Sequence, residues 1–344
     1  MGMPPRLVRR LLFPPIALIG TFLLLTTLPL WILAAAAASR LLPGRLRALR
    51  LLWLLVVYLV CQCLGIIASF ALWVASGFGV RMHTSRMRAA HYRLLFWFVA
   101  GVYQLGVKGL KLSIDLEQVD EHDLRPQDSQ RPLLVFCRHA GPGDSFMLVH
   151  EVVVRLGRRP RIVLKDALQY DPCIDIVLNR LPNRFVSPQR SPGAAGDLAM
   201  QAINELAEDM DACDALLIFP EGANFTQRRR LSAIERLRSL GHHDQADLAE
   251  RMTYVLAPQP GGALASIAAT PHTDILFVAH TGLEGLRTIG DLWRGLPMER
   301  PVRAGWWLEP EEDVPDGREA RVRWLYARWE EIDRWIAAHR TAHP

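Results

Sequence analysis

The run Arg138-His139-Ala140-Gly141-Pro142-Gly143-Asp144-Ser145 places an imidazole and a carboxylate five residues apart. Pro142 argues against one helix running through both residues, and the flanking glycines let the chain fold back. The Asp144 carboxylate can then accept a hydrogen bond from His139, fixing its tautomer and raising its basicity. A histidine held in this way removes a proton from a hydroxyl. The same spacing also arises where an aspartate caps a helix beside a structural histidine, so the context has to decide. Ser145 is a possible nucleophile by position, but a serine at a helix start is the commoner arrangement.

Other polar groups are weighed in the same way. Glu221, in Phe219-Pro220-Glu221-Gly222-Ala223-Asn224-Phe225-Thr226, either serves a ligand or caps a helix or pairs with an arginine. Arg184 and Arg190 carry guanidinium groups suited to a phosphate, among many solvated arginines. His242-His243 with Asp244 and Asp247 has metal-ligand residue types, but lies in a polar stretch expected at the surface. His150-Glu151 is expected at the surface too. No metal site is expected.

Elements that could position these groups follow from hydropathy. Residues 133–136, 161–164, 185–186, 215–219 and 275–279 read as strands, and 146–156 and 196–210 as helices. Val255-Leu256-Ala257-Pro258 reads as a further apolar strand closed by proline. Strands alternating with helices predict an α/β domain with a mixed, largely parallel sheet flanked by helices. Ligands of such sheets gather beyond the carboxyl ends of the strands, where both His139 and Glu221 fall. Val322, Leu325, Trp329, Ile332 and Ile336 recur at helical spacing, read as core packing or an interfacial tryptophan belt rather than an acyl groove.

The N-terminus has a different texture. Residues 11–38 and 51–80 are charge-free, largely apolar runs, each exceeding the roughly 20 residues that cross a bilayer. They predict a membrane helical hairpin, or one that dips into a single leaflet with Pro14, Pro15 and Pro29 breaking its first arm. Residues 91–110 predict an interfacial or packed helix. Division is therefore expected between an anchor, residues 1–110, and a catalytic domain, residues 111–344. Basic residues at the ends of the hairpin place both ends, and the catalytic domain, in the cytoplasm. A net charge of +5 is carried by arginines flanking apolar runs, which fits anionic lipid headgroups and not nucleic acid. Five cysteines show neither disulfide nor zinc spacing.

H-x-x-x-x-D after an apolar strand, then F-P-E-G at Phe219–Gly222, resembles the first and third motifs of the glycerophospholipid acyltransferase superfamily, which includes the lysophosphatidate acyltransferases. Lys165-Asp166-Ala167-Leu168 through Arg190 is similar to the second motif, and residues 255–258 to the fourth. The resemblance implies His139 and Asp144 as the catalytic pair, acting without an acyl-enzyme. It implies Arg190 or Arg184, with Phe219, Pro220, Glu221 and Gly222, as the acceptor site. Acyl-CoA or acyl carrier protein would be co-substrate, lysophosphatidic acid the acceptor, and no cofactor would be needed. Membrane phospholipids would be the partners, at the inner membrane if the source is bacterial. Oxyanion donors are expected among backbone N–H groups of residues 141–143 or near Gly222. Ala223-Asn224 departs from the family's Thr-Arg, which leaves a non-glycerol lipid acceptor, or a non-catalytic lipid-binding relative, as alternatives. Arg228, Arg229 and Arg230 stand close enough in sequence to replace the missing cation.

Overall fold

A computed structural model describes residues 3–41, 46–110, 113–118, 130–187, 194–284, 289–296 and 301–340. Its strands, in chain order, are β1 (Ile114–Gln118), β2 (Leu133–Cys137), β3 (Arg159–Lys165), β4 (Arg184–Val186), β5 (Asp214–Ile218), β6 (Asp274–Thr281) and β7 (Val302–Glu309). The helices are α1 (Arg6–Thr26), α2 (Leu28–Leu41), α3 (Arg47–Ala75), α4 (Ser85–Leu110), α5 (Pro142–His150), α6 (Pro172–Leu178), α7 (Ala194–Ala207), α8 (Gln227–Ser239), α9 (His243–Arg251), α10 (Pro260–Ala269), α11 (Ile289–Gly295) and α12 (Arg318–His339).

Unbroken apolar runs form the middle of the sheet, because a strand covered on both faces can spare neither set of alternate side chains for water. Strand order is β1-β7-β6-β2-β5-β3-β4, parallel throughout except where β6 meets β7. Alternation then sorts the core in two. Leu134, Phe136, Leu216, Ile218, Ile275 and Phe277 face α7, α9, α10 and α12. Leu133, Val135, Cys137, Leu217 and Val278 face α5 and the π-helical turn Glu151–Arg155 that continues it. The mixed, mostly parallel sheet with flanking helices is as expected, and Leu325, Trp329, Ile332 and Ile336 of α12 are wholly buried core residues.

Several expectations need correction. The run 11–38 is two helices that part at Thr27, while Pro14 and Pro15 sit inside α1 without ending it. Residues 255–258 form no strand. Asp333 of α12 takes the N–H groups of Thr253 (3.0 Å) and Tyr254 (2.6 Å), and Gln259 donates its own N–H to Pro220, which draws this backbone away from the sheet. His150 and Glu151 are buried, not at the surface, because α4 lies over them and stacks Tyr103 on the His150 ring at 3.4 Å. His242 and His243 are exposed between α8 and α9, as expected. β1 and β7 were not anticipated.

Two helices, α1 and α3, are long and apolar enough to cross a membrane, and only 17% and 33% of their most apolar windows are buried, unlike the core helix of a soluble fold. α2, at 14 residues, spans about 21 Å and is too short. These helices are tied to the sheet domain. Val57, Cys61 and Ile66 of α3 and Leu95, Phe98 and Val99 of α4 share one cluster with Cys173 and Val177 of α6. Arg9 donates to Asp175 (2.7 Å) and Gln169 (2.6 Å), and Gln62 donates to Asp171 (2.6 Å), the residue that caps α6. The composition changes near residue 110, but the packing runs on across it.

On β7, a Cβ at Gly305 would stand 2.9–3.0 Å from three atoms of the Trp335 indole, itself packed between Trp307 and His339. Gly305→Ala should therefore cost about 1–3 kcal/mol by overpacking. Unfolding of the detergent-solubilised variant measures it, and wild-type stability would contradict the packing.

Candidate active site

β2 ends at Cys137, and its chain passes through Arg138 and His139 to Gly141, which precedes α5. Pro142 starts the helix rather than interrupting it, since its fixed φ and missing N–H suit the first helical position. Asp144 is then the third helical residue, and its Oδ2 accepts the N–H groups of Gly141 (2.9 Å) and Ala140 (2.5 Å). His139 Nδ1 lies 3.1 Å from both carboxylate oxygens. Asp144 thus caps a helix and holds a histidine at once. With Nδ1–H donating to the carboxylate, Nε2 of His139 is bare and able to accept a proton. Asp144 is completely buried whereas the His139 side chain keeps 16% exposure, so water and ligand reach only the imidazole.

Burial alone would push the Asp144 carboxyl up. The hydrogen bond from His139, nearby positive charge and the Gly141 N–H outweigh it and bring it down to about 2. Ser145 donates its hydroxyl to Asp144 Oδ1 at 3.1 Å, so its proton is directed at the carboxylate and not at His139.

The Phe219–Thr226 segment wraps the same histidine. The Phe219 ring lies 4.7 Å from the imidazole, and the Phe225 N–H donates to the His139 carbonyl at 2.7 Å. Gly222 has φ +68°, and a Cβ there would meet the Gln259 amide at 2.6 Å, so the turn requires glycine. Pro220 and Glu221 accept from Gln259 through their carbonyls. The Glu221 side chain turns inward and is 2% exposed. Burial raises its carboxyl to about 8, outweighing the opposing charge of Arg138 and the backbone N–H groups of Leu256 and His139. Glu221 therefore stands behind the histidine as a neutral acid near pH 7.

The arginines are placed differently. Arg184 is on the edge strand β4, about 14 Å across three strand spacings from β2, with its guanidinium on Glu205. Arg190 lies outside the described residues. Arg230 donates to the carbonyls of Met252 and Glu250, and Arg229 to that of Asn224, while Arg228 is exposed at the start of α8. Lys165 is exposed at the carboxyl end of β3. Of the expected oxyanion donors, the Gly141 N–H is committed to Asp144 and the Gly222 N–H to Phe219. Gly143 remains, in a first helical turn whose N–H groups have no partner within the helix.

Sequence reasoning missed His280, Arg138 and Glu284. His280 lies on β6 beside β2, Nε2 3.6 Å from Asp144 Oδ2. Arg138 is 1% exposed and paired with Glu284 at 2.9 Å. The one available signal was a histidine ending the apolar run of β6.

Among the described residues, no cluster of metal-ligating side chains is present. Residues 117–269 match a family model described as Acyltransferase. No curated protein and no solved structure matches the chain.

A carboxyl raised from its ordinary 4.5 to about 8 on folding binds a proton in the folded state that the unfolded chain has lost. Its contribution is therefore full below pH 4.5 and disappears as pH rises through 8. Glu221→Gln, a permanent mimic of the acid, should lose less thermal stability than wild type between about pH 6 and about pH 9. Melting curves across that range test this, and parallel declines would show that Glu221 does not carry the proton.

Proposed function

We propose, for a chain that carries a domain of the glycerophospholipid acyltransferase family over residues 117–269, that His139 and Asp144 transfer a fatty acyl group to the free hydroxyl of a lysophospholipid. The match to the family model supports acyl transfer on lipids as the class of reaction. In our reading the acceptor is lysophosphatidic acid, the product phosphatidic acid, and the donor acyl-CoA or acyl carrier protein. The observation that carries this reading is the His139–Asp144 pair at the carboxyl end of β2, with the Phe219 ring against the imidazole and the Phe225 N–H on the His139 carbonyl.

His139 Nε2 takes the acceptor's hydroxyl proton as the oxygen attacks the thioester carbonyl. The C–O bond forms, the C–S bond breaks, and the thiolate leaves with the proton that the imidazolium returns. Asp144 keeps the ring oriented and stabilises its charged form. Gly143, in the first turn of α5, supplies an N–H toward the developing oxyanion. The acceptor phosphate is met by the exposed cations at this end of the sheet, Lys165 and Arg228, with Arg190 in the same motif.

α1 and α3 hold the protein at the bilayer that contains its acceptor, with the sheet domain on the cytoplasmic side.

His139→Ala should lower acyl transfer about 10²- to 10⁴-fold in membranes or detergent, with Asp144→Asn falling in the same direction. Undiminished transfer by His139→Ala would end the mechanism. Labelled acyl-CoA and acyl carrier protein offered with a panel of lyso-acceptors test the substrate, and activity confined to phosphate-free acceptors would replace it with the non-glycerol reading.

A further inference from the structure

Asp144 faces a second imidazole on its inner side. His280, in the penultimate position of β6, is wholly buried, with Nε2 3.3 Å from the Arg138 carbonyl oxygen and 3.6 Å from Asp144 Oδ2. Its Nδ1 has no partner. Arg138 reaches back around the same strand end, donating through Nη1 to the His280 carbonyl (2.8 Å) and to Glu284 Oε1 (2.9 Å). Glu284 Oε2 in turn accepts the Gly282 N–H at 2.7 Å. His280 and Glu284 fall beyond the residues that the family model matches. No step of the transfer described above uses them.

We infer that His280, with the buried Arg138–Glu284 pair behind it, is a positioning residue that holds Asp144 in the orientation His139 needs. The inference rests on His139 and Asp144 being the catalytic pair.

The Nε2–H of the ring is given to the Arg138 carbonyl at 3.3 Å, and that polarised edge stands 3.6 Å from Asp144 Oδ2, against the carboxylate that holds His139. Leaving Nδ1 unpaired in the core carries a desolvation cost that a leucine of similar size would not incur. Burial, and then the charge of Arg138, lower the His280 pKa to about 4, so near neutrality the ring is uncharged and does not compete with His139 for the negative charge of Asp144. Burial would raise the Glu284 carboxyl, but Arg138 holds it below its ordinary value, and the ionised pair cancels a cation next to the catalytic histidine. The groups that face Asp144 and His280 are His139, Arg138 and Cys137 from the β2 end, Glu221 from the β5 end, and Glu284 from the β6 end.

The test uses His280→Leu, His280→Gln and Glu284→Gln in the full chain, assayed in detergent beside His139→Ala. His280→Leu should lower kcat about 10- to 100-fold with KM for donor and acceptor unchanged. The acid limb of its kcat/KM profile should move to higher pH, because Asp144 loses the polar ring edge at 3.6 Å and pulls harder on the imidazole proton. His280→Gln, whose amide N–H can stand near the place of Nε2, should recover most of the loss. Glu284→Gln leaves the Arg138 charge uncancelled and should move the acid limb the other way, to lower pH.

A folded His280→Leu with wild-type kcat and pH profile overturns the inference, and so does His280→Gln as impaired as His280→Leu. Should the leucine variant not fold, an unchanged acid limb in Glu284→Gln overturns it alone. An active His139→Ala defeats the catalytic pair itself. An inactive His139→Ala beside wild-type behaviour in the other variants defeats only the role of His280.

Discussion

A carboxylate with no exposed surface is the constraint around which the site is built. Stripping Asp144 of water would cost several kcal/mol if its charge were left unpaired. Its oxygens instead collect two backbone N–H groups, a serine hydroxyl and the His139 imidazole. Each donor fixes a piece of chain. The backbone donors require the tight approach through Gly141 and Pro142 into α5, and the imidazole donor requires that His139 leave the end of β2 on the same side. Because the ring gives its Nδ1–H to Asp144, its other nitrogen is left as a bare acceptor.

That geometry depends on the sheet behind it. β2 is paired in parallel with both β5 and β6, so three carboxyl ends converge: His139 follows one, Glu221 the second, and His280 closes the third. The two buried carboxyl groups differ in how far their donors offset burial. Both lose water, but Asp144 gains hydrogen bonds enough to stay ionised down to about pH 2, while for Glu221 burial outweighs the charge of Arg138 and the backbone N–H groups of Leu256 and His139 and leaves it protonated up to about pH 8. Arg138 lies among these groups and is cancelled by Glu284, so the imidazole meets one net negative neighbour, Asp144.

The legible parts of this arrangement were those whose physical cause is local. β2, β5 and β6 could be read because burial on both faces demands an unbroken apolar run, and the His139–Asp144 spacing because Gly141 and Pro142 dictate a turn into a helix. β1 and β7 escaped notice because Asp115, Glu117, Arg303 and Gly305 interrupt their hydropathy, which outer strands of a sheet tolerate. His150 and Glu151 were assigned to the surface because nothing in sequence reveals that Tyr103 of α4 lies over them. His280 is separated from Asp144 by most of the domain, and only the pairing of β6 with β2 brings them together. The strand expected at residues 255–258 failed for a related reason: apolarity signals burial, but Asp333 of α12 claims the backbone donors that a strand would have used.

The helices outside the matched domain bear on the site through packing. Phe146 and Val149 of α5 pack in the same cluster as Val57 and Cys61 of α3 and Phe98 of α4. The helix that carries Asp144 therefore rests directly on the helices whose outer faces are apolar and uncovered. Interiors this close-packed transmit displacement rather than absorb it. A shift of α3 would be passed to α5, and from there to the carboxylate that holds His139. A helix with an apolar, uncovered outer face is thus part of the support of the His139–Asp144 pair, and a sheet domain cut free at residue 110 would lose the surface against which α5 is held.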